Sequence, residues 1–86
     1  MSKLDINDIL GIPEEYNIVS KPKLAISDNI RKQVEKKSTT LQEVAESVGL
    51  KYENVTSVTS VHEYSIDTLL KVLHGLDMEL VVRPKN

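Results

Sequence analysis

Apolar residues recur at helical spacing over much of the chain, and turn-forming residues separate the stretches. Ile26, Ile30 and Val34 follow one another every four residues, which places them on one face of a helix with lysines around it. Pro22 suits the first turn of this helix, because proline has no N–H to leave unpaired there. The pattern predicts a helix that begins at Pro22 and ends near Lys37.

Two short helices are predicted next. Thr40 and Glu43 have the spacing of a capping box, in which the Thr40 hydroxyl accepts from the Glu43 amide and the Glu43 carboxylate bonds the Thr40 amide in return. The first short helix therefore starts at Leu41, and a second one covers residues 51–60. The inward positions of the two helices are Leu41, Val44, Ala45, Val48, Val55 and Val58.

A further helix and a strand are predicted toward the C-terminus. Ser65 is a good N-cap for a helix over residues 66–74. The apolar face of this helix carries Ile66, Leu69, Leu70 and Leu73. Residues 78–83 have β-type content, and Pro84 ends the strand. One face of that strand carries Met78, Leu80 and Val82.

The N-terminal residues form an arm in this interpretation. Residues 4–10 are predicted as a short amphipathic helix that Gly11 and Pro13 end. Residues 14–21 show no clear period and are predicted as a connector. The chain thus divides into an arm (1–21), a helical domain (22–77) and a C-terminal strand with its tail (78–86).

The formal net charge is −2, but the positive and negative side chains are unevenly distributed along the chain. Residues 21–37 carry six positive and two negative side chains, whereas residues 38–82 carry two positive and seven negative ones. One segment is therefore locally basic within an acidic chain, and this segment is either a nucleic-acid contact or a solvated helix face.

The composition argues against an enzyme. There is no cysteine, so thiolate chemistry is excluded, and neither histidine has carboxylates at the spacing of a metal site. The three glycines are scattered and form no phosphate-binding loop. We therefore expect no catalytic residues, no cofactor and no metal. The absence of a signal-peptide pattern and of a membrane-length apolar run favours the cytoplasm and no membrane partner.

Small and apolar residues between positions 41 and 60 have the spacing of two helices that cross over a tight turn. Ala45 is the small residue at the crossing, and Gly49 follows four residues later where the turn needs φ > 0. Apolar residues flank the turn and attach both helices to the core, namely Val44, Val48, Leu50, Val55 and Val58.

This segment resembles the helix-turn-helix of Cro/Xre-type bacterial repressors. The similarity continues through Ser-Ile-Asp-Thr-Leu-Leu-Lys-Val-Leu at residues 65–73. Leu-Asp-Met-Glu-Leu-Val-Val-Arg-Pro at residues 76–84 is similar to the C-terminal strand of antitoxins of the HipB and HigA kind. The resemblance implies a mostly α, lambda-repressor-like helix-turn-helix bundle whose C-terminal β-strand pairs across a homodimer.

The resemblance also implies a function. The chain would be a transcriptional regulator, the antitoxin of a type II toxin–antitoxin module, which binds double-stranded operator DNA, represses its own operon and neutralises a toxin by direct contact. The helix over residues 51–60 would lie in the major groove. The implied DNA-binding residues are Lys51, Tyr52, Asn54, Thr56 and Ser57, with Lys36 and Lys37 on the flanking backbone. Residues 1–25 match no part of the family and are assigned to the toxin contact.

Departures from the family pattern leave two other functions open. Leu41 stands where a phosphate-contacting glutamine is usual, and Glu53 places a carboxylate near the expected phosphates. These residues and the acidic balance favour a protein-interaction module that keeps the helix-turn-helix shape without binding DNA. A stand-alone phage-type repressor is the other alternative.

The C-terminal strand needs a partner for its backbone and a cover for its apolar face. Pairing with the same strand of a second chain would supply both and create a two-fold dimer. The predicted dimerisation residues are Met78, Leu80, Val81 and Val82. The alternative is pairing within the chain with residues 14–20, where Tyr16, Ile18 and Val19 would form a short strand.

Overall fold

The computed structural model describes residues 14–60 and 62–84, and this part of the chain is mostly helical. It contains four α-helices: α1 (Lys21–Lys36), α2 (Leu41–Val48), α3 (Tyr52–Val58) and α4 (Ile66–Gly75). A π-helical segment, Tyr16–Ser20, leads directly into α1. None of the described helices is both long enough and apolar enough to cross a membrane.

All four helices contribute to one hydrophobic core. The predicted core positions Ile30, Val55 and Val58 are fully buried. Burial of each such aliphatic side chain contributes about 1.5–3 kcal/mol to folding. The whole set of buried apolar residues is Ile30, Val44, Ala45, Val55, Val58, Leu69, Val72, Leu73 and Leu76.

The inward face of α4 differs from the predicted one. Ile66 and Leu70 were expected to face the core, but their side chains are 55% and 46% exposed. The buried stripe instead runs through Leu69, Val72, Leu73 and Leu76, at the i, i+3, i+4, i+7 spacing of one helix face. Ile66 and Leu70 lie at the edge of this stripe, so the apolar pattern of α4 is wider than the surface it buries.

Both predicted N-caps are confirmed. Thr40 Oγ1 accepts a hydrogen bond from the Glu43 amide at 3.1 Å, and Ser65 Oγ accepts one from the Thr68 amide at 3.1 Å. The reciprocal half of the capping box takes another form, because the Glu43 carboxylate accepts from the Thr40 hydroxyl at 3.2 Å. Each cap satisfies an amide that has no partner inside its helix.

Three helices end with the same cap, in which one residue adopts the left-handed conformation and two successive backbone amides donate to carbonyls of the helix. These residues are Ser38 after α1, Gly49 after α2 and Asp77 after α4, with φ of 53°, 71° and 56°. In each case the next amide bonds a carbonyl five residues back: Thr39 to Val34 (3.1 Å), Leu50 to Ala45 (2.9 Å) and Met78 to Leu73 (2.8 Å).

The two ends of the described region depart from the sequence predictions. Residues 14–20, predicted as a connector, are helical, so the intrachain strand proposed for Tyr16, Ile18 and Val19 is wrong. This segment buries none of its residues, and helix propagates into it from α1 without needing an apolar stripe. Residues 78–84 form no β-strand with the rest of the described chain. The helix predicted for residues 4–10 lies outside the described residues.

Candidate functional site

The outer surface of α3 is the candidate site, and its position depends on the junction with α2. Ala45 on α2 is 1% exposed, and Gly49 turns the chain in the left-handed conformation. A Cβ at Gly49 would meet nothing within 4 Å, so this position needs glycine for its backbone conformation alone. Val55 and Val58 fix the inner side of α3 in the core.

The first turn of α3 carries the exposed side chains. Lys51 stands at the N-cap without a side-chain capping bond, and Tyr52, Glu53 and Asn54 follow it on the surface. The Tyr52 side chain is 46% exposed, which excludes the core position that an aromatic residue on a short helix often takes. The structure therefore brings Lys51, Tyr52 and Asn54 to one accessible end of α3.

Thr56 and Ser57 make hydrogen bonds within their own helix. Their hydroxyls both donate to the Glu53 carbonyl, at 3.0 and 2.9 Å. In this rotamer each hydroxyl can only accept a further bond, whereas a DNA phosphate oxygen needs a donor. The side chains of Lys51, Tyr52 and Asn54 make no hydrogen bond within the described residues, and they are the free donors at the start of α3.

A polar cleft borders this surface and was not predicted from the sequence. It has a volume of about 130 Å³ and lies between α3 and the start of α4. Lys23 holds the loop at its edge, since its Nζ donates to the His62 carbonyl at 3.0 Å and lies 4.7 Å from the centre of the Tyr64 ring. Partial burial raises the pKa of Tyr64. The lining residues are Asn54, Ser57, Glu63, Tyr64, Ser65 and Thr68.

The opposite end of α3 is bonded to α1. Ser27, only 4% exposed, donates through Oγ to the Thr59 carbonyl at 2.8 Å, and Arg31 Nη2 donates to the same oxygen at 2.6 Å. Arg31 belongs to the basic segment of residues 21–37, and its guanidinium faces this carbonyl. The only sequence signal was the four-residue spacing that Lys23, Ser27 and Arg31 share.

The two lysines assigned to flanking DNA lie at the end of α1. Lys37 pairs with Asp77 beyond the end of α4, and Lys36 is exposed. The hydrogen bond and the positive charge of Lys37 lower the pKa of the Asp77 carboxyl. Among the described residues, no hydrogen bond or ion pair joins Lys36 or Lys37 to α3.

The predicted dimerisation residues differ in exposure. Met78 packs partly against the core, whereas Leu80, Val81 and Val82 are 41%, 66% and 89% exposed. Met78 and Leu80 also line an apolar groove of about 120 Å³ beside α1 and α4. The three exposed residues thus form an apolar C-terminal strip next to a groove.

Within residues 14–60 and 62–84, no three metal-ligating side chains lie together. Comparisons of the chain with protein-family models, with curated proteins and with solved structures find no match. The interpretation of function below uses two surfaces of the described residues, the exposed end of α3 and the C-terminal strip.

Proposed function

We propose that the chain is a dimeric, sequence-specific DNA-binding regulator with a helix-turn-helix of the Cro/Xre kind, in which α2 and α3 are the two helices and α3 enters the major groove. The observation that carries this proposal is the division of α3 into two sides. Val55 and Val58 are buried, while Lys51, Tyr52 and Asn54 are exposed at its first turn. A helix that presents its N-terminal residues in this way is suited to contact base edges.

The donors on α3 suit particular DNA groups. The Asn54 amide has both a donor and an acceptor, which match the N6 and N7 edge of adenine. The Lys51 ammonium matches a phosphate or the acceptors of guanine. Thr56 and Ser57 would contribute as acceptors, or as donors after rotation away from the Glu53 carbonyl. Lys36 would add a backbone contact.

The biological role that we propose is that of a cytoplasmic antitoxin of a type II module, which represses its own operon and binds its toxin directly. This part rests on the similarity of residues 76–84 to the C-terminal strand of antitoxins of the HipB and HigA kind. Co-expression with the product of the adjacent gene tests it. A stable complex and relief of that protein's toxicity are expected, and a harmless or non-binding neighbour would contradict the antitoxin role.

Selection from a pool of random DNA duplexes tests the DNA-binding proposal without knowledge of the operator. We expect enrichment of a sequence with two-fold symmetry, because each subunit would contact one half-site. Lys51→Ala should then weaken binding and reduce its salt dependence, as loss of a phosphate contact does. Lys71→Ala, which removes an exposed lysine of α4, is the matched control.

A protein-interaction module without DNA binding is the second candidate. It is favoured by Glu53 in the first turn of α3 and by Glu43 and Glu46, which are exposed on α2. Carboxylates at these positions would repel phosphates. Failure of the selection to enrich any duplex, with α3 folded, would support this candidate over the first.

A further inference from the structure

We propose that α3 recognises the 5-methyl group of a pyrimidine in the major groove, through the ring of Tyr52 and the methyl group of Thr56. This inference rests on the proposed DNA-binding function and names a chemical group that the helix contacts. Thymine carries this methyl group in ordinary DNA, and 5-methylcytosine carries one at the same ring position. The ligand is therefore a duplex with a 5-methyl pyrimidine in each half-site.

Tyr52 is an aromatic side chain left in water at the first turn of α3. It is the first residue of the helix, and its side chain is 46% exposed. It does not belong to the hydrophobic core or to the partly buried residues packed against that core. An aromatic ring in this position is stabilised most by burial against another apolar group.

Thr56 lies one turn further along the same side of α3, because residues four apart are neighbours on a helix surface. Its Oγ1 donates to the Glu53 carbonyl at 3.0 Å, so the polar part of the side chain is bonded to the backbone of its own helix. The Thr56 methyl group is the part that remains for contact with a ligand. Tyr52 and Thr56 together form an apolar pair on α3.

The major groove contains one apolar group that could cover this pair. Guanine and adenine present ring nitrogens with an oxygen or an amino group, and cytosine presents an amino group. Thymine alone adds a methyl group to its oxygen acceptor. Contact with the other base edges, or with a phosphate, would place an apolar surface against polar atoms and give up their hydrogen bonds with water. A 5-methyl group is therefore the matching partner.

The methyl contact is separate from the contact proposed for Asn54. Asn54 follows Tyr52 by two residues, which places it about 200° around the helix axis. It borders the polar cleft together with Ser57, at the other edge of the exposed surface of α3. Glu53 is exposed between the two edges, where its carboxylate suits the amino group of cytosine. The methyl contact can therefore be removed without removing the amide contact.

Deoxyuridine substitution tests the contact, because uracil differs from thymine only in lacking the methyl group. Each symmetric pair of thymines in the selected duplex is replaced in turn. We expect one pair to weaken binding about 15-fold, from roughly 4-fold for each buried methyl group. Tyr52→Ala should abolish this dependence, and Tyr52→Phe, which keeps the ring, should retain it. Asn54→Ala is the matched control and should show the parent's ratio of thymine to uracil affinity.

Two variants of Thr56 distinguish its methyl group from its hydroxyl. Thr56→Val keeps a methyl group and removes the hydroxyl, and it should bind like the parent. Thr56→Ser keeps the hydroxyl, and it should bind more weakly with a smaller effect of uracil. Urea unfolding verifies that both variants are folded. At the same base position, 5-methylcytosine should bind roughly 4-fold more tightly than cytosine.

The outcomes separate this inference from the function on which it rests. The methyl contact would be overturned, with DNA binding intact, by a selected half-site without thymine or by a uracil scan without effect. An equal uracil effect in Tyr52→Ala, or weak binding by Thr56→Val but not by Thr56→Ser, would overturn it as well. Failure to select any duplex would instead refute the DNA-binding function and the inference with it.

Discussion

Arg31 Nη2 donates a hydrogen bond to the Thr59 carbonyl at 2.6 Å and so joins α1 to the end of α3. Ser27 Oγ donates to the same oxygen, and Arg31 Nε donates to Ser27 Oγ at 3.3 Å. Carbonyls at a helix end have no partner inside the helix. Helix α3 is seven residues long and rich in β-branched residues and serine, which are weak helix formers. Its position therefore depends on this link and on Val55 and Val58.

Arg31→Met should lower the free energy of unfolding by about 1–2 kcal/mol, since it removes a charged donor from a carbonyl that Ser27 still partly satisfies. Methionine retains most of the apolar stem, so the loss reports the hydrogen bonds. Urea unfolding measures the change, and Lys32→Met, on the exposed side of α1, is the matched control. Amide exchange should rise at the end of α3. Equal stability of R31M and K32M would refute the role given to Arg31.

Gly75→Ala should be destabilising for a steric reason. A Cβ there would stand 3.0 Å from Val48 Cγ1 and 3.3 Å from Val44 Cγ1, where α4 approaches α2. Overpacking of this kind costs about 1–3 kcal/mol, which is offset in part by the roughly 1 kcal/mol that alanine gains over glycine in a helix. Adding Val48→Ala should recover part of the loss, because the closest methyl is removed. Thermal unfolding of the single and double variants measures the coupling.

Gly49→Ala serves as the contrasting variant. Space is open around Gly49, but its φ of 71° is unfavourable for alanine and should cost roughly 1 kcal/mol. Val48→Ala should give this variant no rescue. If Val48→Ala restored stability equally to Gly49→Ala and to Gly75→Ala, the claim that Gly75 is needed for packing and Gly49 for its backbone conformation would be contradicted.

Ser38→Gly should raise stability by about 1 kcal/mol, because Ser38 holds a left-handed conformation that glycine adopts without strain. The hydrogen bonds that follow α1 use only backbone atoms and would persist. The midpoint of urea unfolding measures the gain. Ser47→Gly, inside α2, is the control and should be destabilising. A loss of stability in S38G would show that the Ser38 side chain contributes more than its backbone strain costs.

The Asp77–Lys37 pair should make stability depend on pH in the acid range. Lys37 lowers the folded-state pKa of Asp77 below its ordinary value of 3.8, so the stabilisation is present above that value and is lost as pH falls through the folded pKa. Asp77→Asn keeps a residue that tolerates φ > 0 but removes the charge. The stability difference between parent and D77N should therefore shrink as pH is lowered from about 5 to about 2.

Asp28→Asn is the control for that titration, since Asp28 is exposed on α1 and enters no ion pair among the described residues. Its stability difference from the parent should change less over the same range. A parent–D77N difference that is constant from pH 7 to the acid limit would contradict the assigned role of the pair.

The elements that depend on local chemistry could be predicted from the sequence. Thr40 and Ser65 cap their helices as expected, and Gly49 turns the chain. Ser38 and Asp77 adopt the same conformation as Gly49, but neither residue type requires it, so the sequence alone does not predict it. Gly75 is the last residue of α4, and the close packing on α2 that it permits is revealed only by the tertiary structure.

The candidate site could be predicted only in part, because some of it follows from the helical period and the rest from tertiary contacts. The exposure of Lys51, Tyr52 and Asn54 follows from the helical period, which places Val55 and Val58 inward. The role of Arg31 could not be foreseen, because a charged residue on a helix has the same pattern whether it faces solvent or a carbonyl on another helix. The groove beside Leu80 likewise arises from three segments distant in sequence.

The most direct test of the central claim is the affinity of Asn54→Ala for the duplex obtained by selection, measured beside Asn29→Ala, an exposed asparagine of α1. Loss of a base contact costs about 1–3 kcal/mol, or roughly 5- to 150-fold in affinity, and should relax the preference at one symmetric pair of base positions. We expect this loss in N54A and parent-like binding in N29A. Unchanged affinity and base preference in N54A, with α3 folded and the dimer intact, would contradict the assignment of α3 as the DNA-contacting helix.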